Sequence, residues 1–134
     1  MSETTTSFPI TFLNDDPKKT LVQEGQKSLE RRKEDFLHFM NETMSEDLGE
    51  FSDYGLSIDP VINEETNKTD YLRFQLSWGG PSDELRYYPD GKIEYAFLDW
   101  FCGVGFDVTS EDWAQWLIPI LPWLTYKHMT NAAS

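Results

Sequence analysis

Residues 71–98 constrain the fold most strongly, because their apolar side chains recur at every second position. This alternation predicts a strand over 71–78 with one buried face, formed by Leu72, Phe74, Leu76 and Trp78. Further strands are predicted at Leu85–Tyr88 and from Lys92 to Leu98. Gly79-Gly80-Pro81 and Pro89-Asp90-Gly91 separate them; proline presets φ and glycine accepts positive φ, as tight turns require. The stretch therefore predicts a three-stranded antiparallel meander.

The segments before and after the predicted meander both show the spacing of apolar residues that is typical of helices. From Pro17 to about Leu48, a long N-terminal helix is predicted by apolar residues at steps of three, four and seven, namely Leu21, Val22, Leu29, Phe36, Phe39, Met40 and Met44. A second, Trp-rich helix is predicted from about Glu111 to Lys127, and it should be kinked or broken at Pro119 and Pro122. It has little polar face, so it must be buried or bound.

The chain of 134 residues has the usual length of one domain. The order helix, three strands, helix predicts a single α+β domain over residues 18–134. Residues 1–17 are predicted to be a mobile N-terminal tail, or to contain a short edge strand at Phe8–Leu13. A long irregular connection is expected over 49–70, with the option of a short strand at Tyr54–Ile58.

Charge is the strongest compositional feature, with 24 Asp and Glu against 11 Lys and Arg and a net charge of −13. Such a field repels phosphates, so direct nucleic-acid binding and attachment to anionic membranes are disfavoured. A basic protein surface is instead attracted over long range. The simpler reading is that the acidic surface mainly confers solubility.

Cys102 is the only cysteine, which excludes an internal disulfide and fits a reducing cytoplasm. The N-terminal residues lack the pattern of a signal peptide. The most apolar run, Trp113 to Leu124, is shorter than the roughly 20 residues needed to span a bilayer. We therefore expect a soluble cytoplasmic protein.

No motif names a reaction. Cys102 has only His38 and His128 as possible bases, each far away in sequence, and a small buried cysteine is the simpler interpretation. One cysteine and two histidines match no zinc pattern, and the glycine-rich turns match no phosphate-binding loop. We therefore predict no catalytic residue, no metal and no cofactor. A carboxylate pair such as Glu94 with Asp99 keeps an enzyme as a third hypothesis.

Acidic residues concentrate around the predicted connections, where they could line one side of the fold and compete with nucleic acid for a basic groove. The alternative is a uniformly acidic, solvated surface. The candidate partner-binding residues are Glu42, Glu46, Asp47, Glu50, Asp53, Asp83, Glu84, Asp90, Asp99, Asp107, Glu111 and Asp112.

The stretch Ser77-Trp78-Gly79-Gly80-Pro81-Ser82-Asp83-Glu84, continuing through Asp90-Gly91-Lys92-Ile93-Glu94 to Asp99-Trp100-Phe101, resembles small acidic proteins encoded by phages, plasmids and other mobile elements. Such elements encode anti-defence inhibitors of the anti-CRISPR and anti-restriction kinds. The resemblance implies a non-enzymatic inhibitor that binds a basic surface of a host defence effector and blocks its access to nucleic acid. It supplies no catalytic residues.

A general interaction or assembly module is the alternative hypothesis. In that case the C-terminal Trp-rich helix would form a homodimer interface, with Trp113, Trp116, Ile120 and Trp123 as the self-association residues.

Overall fold

The computed structural model describes residues 10–12, 19–42, 44–45, 49–79, 81–99 and 102–125. Two helices accompany eight strands in the described part of the chain. In order, these are β1 (Ile10–Phe12), α1 (Lys19–Asn41), β2 (Met44–Ser45), β3 (Gly49–Glu50), a 3-10 turn (Phe51–Asp53), β4 (Ser57–Ile62), β5 (Thr69–Ser77), β6 (Ser82–Tyr87), β7 (Ile93–Asp99), β8 (Cys102–Asp107), α2 (Asp112–Leu117) and a second 3-10 turn (Ile118–Ile120). The predicted α+β class is confirmed.

The main sheet is antiparallel throughout and has six strands in the order β1-β8-β7-β6-β5-β4. The predicted meander forms its centre as β5, β6 and β7, but the predicted number of three strands is wrong. β4 lies within the segment predicted to be irregular and overlaps the optional strand at Tyr54–Ile58 by two residues, and β8 lies in a glycine-rich segment for which no strand was predicted. Of the residues predicted as a mobile tail, 10–12 form β1 at one edge, within the alternative edge strand at Phe8–Leu13, and 1–9 and 13–17 lie outside the described residues.

Helix α1 packs on one face of this sheet, which we call the inner face. Four residues of its predicted apolar stripe, Leu21, Leu29, Phe36 and Phe39, are buried in the core, whereas Met40 of the same stripe is exposed. Gly25 allows the closest approach, because a Cβ there would lie 3.0 Å from the Phe106 ring and 3.1 Å from a Val104 methyl group. The helix ends at Asn41, earlier than the predicted Leu48, and the short β2–β3 hairpin follows.

The C-terminal segment also packs on the inner face. As predicted, proline interrupts the helix: α2 ends at Leu117 and a 3-10 turn containing Pro119 follows, before helical backbone returns at 121–125. Trp113 is buried and its ring stacks on Phe36, with 5.4 Å between ring centroids and 4° between planes. The stack joins the two helices above the sheet.

The long edge of the sheet is formed by β4. Along an antiparallel strand, successive residues direct their backbone N–H and C=O groups to opposite sides. The Tyr88 N–H donates to the Lys92 carbonyl, and this bond shows which residues of β6 face β7 and which face β5. Followed through β5, the same alternation turns the backbone polar groups of residues 58, 60 and 62 away from the sheet. Residue 60 is proline, so the missing N–H falls at the centre of the exposed edge.

Trp78 differs from its prediction. The alternation placed it on the buried face with Phe74 and Leu76, whereas it is exposed. The physical reason is a register shift between Gln75 and Ser77, after which the strand ends and Gly79 turns with φ of 105°.

Candidate interaction surface

A buried polar network centred on Asp83 joins α1 to the inner face. The guanidinium of Arg32 donates two hydrogen bonds to the Asp83 carboxylate, at 2.7 and 3.0 Å, and Ser77 and Tyr95 donate to the same carboxylate. Burial acts to raise the pKa of Asp83, but the ion pair with Arg32 and the hydroxyl hydrogen bonds outweigh it and hold the pKa below its ordinary value. Asp83 is therefore an ionised structural anchor.

Tyrosine hydroxyls extend this network on both sides. Tyr95 donates to Asp83 and lies 2.6 Å from the Ser28 hydroxyl, while Tyr54 accepts from Arg32 and donates to Asp35. Burial, followed by the nearby carboxylate of Asp83, raises the pKa of Tyr95 and keeps the hydroxyl protonated. The network thus connects α1 and Tyr54, which directly follows the 3-10 turn, to the three strands β5, β6 and β7.

The opposite, outer face of the sheet carries a second network around Arg86. Its guanidinium lies 2.7 Å from Glu84 and 3.7 Å from Glu94, and it covers the ring of Tyr71 with 4.8 Å to the centroid. Glu94 also accepts a hydrogen bond from Tyr88 and lies 3.7 Å from Lys92. Glu94 lies directly over Gly105, where an added Cβ would come within 2.5 Å of its carboxylate.

The two networks correct the predicted interaction surface. Asp83 and Glu84 are only 2% and 3% exposed, because they face opposite sides of β6 and each is neutralised by an arginine. Neither carboxylate is available to a partner.

Most arginine side chains form ion pairs with carboxylates of the chain itself. Of the four arginines, Arg32, Arg73 and Arg86 are ion-paired, the second of them with Asp59 at 2.7 Å. Their positive charges offset carboxylates on the two faces of the sheet. What remains for the surface is dominated by negative charge.

Carboxylates gather where the β4–β5, β6–β7 and β8–α2 connections meet at one end of the sheet. We call this the acidic end; its members are Glu64, Glu65, Asp70, Asp90, Asp107, Glu111 and Asp112. Lys68 and Lys92 belong to the same connections, and Lys33 reaches Glu111 at 3.4 Å. Seven carboxylates against three lysines leave an excess of four negative charges (7 − 3).

Four members of the acidic end, Asp90, Asp107, Glu111 and Asp112, are predicted candidates. Sequence reasoning missed Glu64, Glu65 and Asp70, because it did not predict the hairpin that β4 and β5 form. Asp107 is ordered by Thr109: partial burial acts to raise its pKa, but hydrogen bonds from the Thr109 hydroxyl and N–H lower it below its ordinary value.

The remaining acidic candidates are not brought together. Glu42, Glu50 and Asp53 are exposed near the end of α1 and the β2–β3 hairpin, and Asp99 closes β7 at the other end of the sheet. Glu46 and Asp47 lie outside the described residues. The structure therefore divides the predicted acidic surface into separate regions.

The predicted self-association residues also separate. Trp113 is 1% exposed and forms part of the core, so it cannot contact a second chain. Trp116 and Ile120 are half-buried, and the Trp116 ring packs against Phe51 with 5.2 Å between centroids. Trp123 is 46% exposed, and Ile118, which the prediction did not include, is also exposed, five positions earlier in the sequence.

Catalytic geometry is weak within the described residues. Glu94 and Asp99 lie five positions apart on β7, which puts their side chains on opposite faces and their Cα atoms roughly 16 Å apart. No group of three or more His, Cys, Asp or Glu side chains in this part of the chain is arranged to hold a metal ion. A half-open cavity of about 360 Å³ beside α1 is lined by charged and hydroxyl side chains from Ser28 to Asp35, unlike the mostly apolar pockets that bind small molecules.

No model of a known protein family matches the chain, and comparisons with curated proteins and with solved structures give no significant match. Among the helices that the structure describes, none has both the length and the apolar character needed to cross a lipid bilayer.

Proposed function

We propose that this protein is a non-enzymatic inhibitor, made by a phage or another mobile element, that binds a basic surface of a host CRISPR or restriction effector in the host cytoplasm. The observation that carries the proposal is the charge distribution. The net charge is −13, and three of the four arginines are already paired with carboxylates of the chain itself. A partner therefore meets a surface dominated by carboxylates.

The acidic end is the part of this surface that we assign to effector binding. Its carboxylates come from three different connections, each attached to strands of one sheet, so their relative positions are set by the fold. A groove that evolved to bind phosphates attracts such a set of negative charges. Long-range attraction would speed association, and occupation of the groove would exclude nucleic acid without any chemical step.

The test uses the purified protein with a panel of CRISPR effector complexes and restriction nucleases, each with labelled target DNA. We expect at least one effector to lose DNA binding as the protein is added, with apparent affinity falling as NaCl rises. Inhibition of no effector in the panel would contradict the proposal.

A pair of variants localises the surface. The first neutralises four residues of the acidic end: Glu64→Gln, Glu65→Gln, Asp70→Asn and Asp90→Asn. The second makes the same change in net charge on α1 and the residue that follows it: Glu24→Gln, Glu30→Gln, Glu34→Gln and Glu42→Gln. All eight side chains are exposed. We expect the first variant to inhibit at least about tenfold less well and the second to retain most inhibition; equal losses would show that only net charge matters.

Self-association is a second candidate function, favoured by the exposure of Trp123 and Ile118 in the C-terminal segment. A homodimer would bury these two side chains against a second copy. Light scattering should then report a dimer that persists at high salt and that Trp123→Glu or Ile118→Glu dissociates. A wild-type monomer at high protein concentration would exclude it.

A further inference from the structure

Trp78 is the most exposed large apolar side chain in the described part of the protein. It is 64% exposed, whereas the other exposed large apolar residues lie between 37% and 46%. Tryptophan is costly to leave in water and is enriched among the residues that dominate binding energies at protein interfaces. Neither the acidic end nor the C-terminal segment includes it, so its exposure needs a separate explanation.

The base of the turn that carries Trp78 is held by buried side chains. Gln75, which is buried, donates through its amide to the carbonyls of Ser77 and Asp83, at 2.8 and 3.2 Å, and so joins the two strands of the hairpin. Ser77 adds a side-chain bond to Asp83, which is anchored in turn by Arg32. Trp78 therefore projects from a base that is already ordered, which lowers the entropic cost of using it in an interface.

Leu56, Asp53 and Asp99 belong to the same end of the sheet as Trp78. Leu56 is 46% exposed, and its N–H donates to the Gln75 carbonyl, which places it beside the same hairpin. Asp53 precedes β4 at this end of the sheet, and Asp99 ends β7 next to the start of β6. An exposed indole face at an end of the sheet that also carries carboxylates attracts a guanidinium or ammonium group, because cation–π and ion-pair attraction act together.

We propose that Trp78 is the anchor of a protein-binding site that receives an arginine or lysine side chain of a basic partner, with Leu56 as its apolar neighbour and Asp53 and Asp99 as its charge partners. The proposal rests on the proposed function in one respect, the basic character of the partner. It assigns the contact to the end of the sheet opposite the acidic end, so the two sites act on different parts of the partner.

The experiment selects phage-displayed random peptides on the full-length protein and measures the affinities of the selected peptides by calorimetry. We expect enrichment of peptides with Arg or Lys next to an apolar residue. Trp78→Ala should weaken their binding at least about tenfold, and Asp53→Asn with Asp99→Asn should weaken it less. Leu37→Ala, which removes an exposed apolar side chain on α1, is the control and should leave affinity unchanged. Circular dichroism and the thermal midpoint should show that Trp78→Ala remains folded.

Peptides that bind Trp78→Ala as well as wild type, or a selection that enriches no basic peptide, would overturn the inference. The outcome is separable from that of the proposed function, because it requires no nuclease. Inhibition that depends on the acidic end but not on Trp78 leaves the proposed function intact and removes only the Trp78 site. Selected basic peptides whose binding requires Trp78, together with the inhibition of no effector, would support the Trp78 site and contradict the proposed function.

Discussion

Asp83 connects more of the molecule than any other carboxylate described above. It accepts hydrogen bonds from Arg32 on α1, from Ser77 at the end of β5 and from Tyr95 on β7, while its own carbonyl accepts from Gln75. Removing one partner of a buried ion pair leaves the other charge uncompensated in a medium of low polarity. The stability of the α1–sheet contact should therefore depend strongly on this one side chain.

Asp83→Asn tests this dependence. We expect the free energy of unfolding, measured with urea at neutral pH, to fall by about 3 kcal/mol, because Arg32 remains partly buried without its counter-charge. Asp59→Asn is the matched control: it breaks the same kind of pair with Arg73 at a half-exposed site and should cost about 1 kcal/mol or less. Similar losses for both variants would contradict the structural role of Asp83.

The pH profile of the same two proteins supplies an independent readout. Because the pKa of Asp83 is lower in the folded than in the unfolded protein, its ionisation contributes stability above the unfolded pKa, about 4, and this contribution is lost as pH falls through the folded pKa. Asp83→Asn should therefore lose less stability than wild type between neutral pH and acid. If the free energies of unfolding of the two proteins fell in parallel as the pH is lowered, Asp83 would not be the source of this pH-dependent stability.

At the scale of elements, β4 is the exposed edge at which a second chain would most readily add a strand. Pro60 removes the central outward N–H of this edge, and such a residue is a known protection against edge-to-edge pairing. The other edge, β1, has only three residues. Both edges of the sheet thus present few backbone groups with which an incoming strand could pair.

Pro60→Thr restores the missing donor and a side chain that favours strands. We expect the variant to self-associate at concentrations at which wild type does not, as measured by sedimentation velocity across a concentration series. Pro89→Thr is the control, because Pro89 lies in the β6–β7 turn and away from the edge. An unchanged sedimentation coefficient for Pro60→Thr would show that proline is not what blocks the edge.

The elements that sequence predicted well are those with clean periodicity. β5, β6 and β7 carry alternating apolar residues, and α1 carries a helical stripe, so all four were predicted. Of β4, only the first two residues fell within the optional strand at Tyr54–Ile58, because Pro60 interrupts the pattern, and β8 was missed because Gly103 and Gly105 have low strand propensity. Gly105 is required in β8 by a residue of another strand, since Glu94 occupies the space of its side chain. Such a requirement exists only in the folded sheet.

The same distinction applies to the interaction surface. Asp83 is in phase with Leu85 and Tyr87 along β6, so its buried position was already present in the alternation, although its charge favoured a surface position. The pairing with Arg32, 51 positions away, has no local signal. The acidic end likewise depends on three connections that meet only after the sheet has formed.

For the whole molecule, the net charge of −13 makes self-repulsion a general cost of folding. We expect the urea midpoint to rise when NaCl increases from about 0.02 M to about 0.3 M, because salt screens exposed like charges more than the buried pairs at Asp83 and Glu84. Chloride is preferred to sulfate, which stabilises most proteins by exclusion from their surface. A midpoint that falls with salt would mean that attractive surface pairs outweigh the repulsion.

The pairing of β1 with β8 has a consequence for how the protein is made. Ile10 lies opposite Phe106, a separation of 96 positions (106 − 10), whereas β4 to β8 follow one another through short connections. During translation the meander can assemble hairpin by hairpin, but β1 leaves the ribosome long before its neighbour exists. Gly25 of α1 likewise cannot pack against Val104 and Phe106 until those residues have been synthesised. β1 and α1, although synthesised before the meander, can reach their final places only after residues 102–107 have been made.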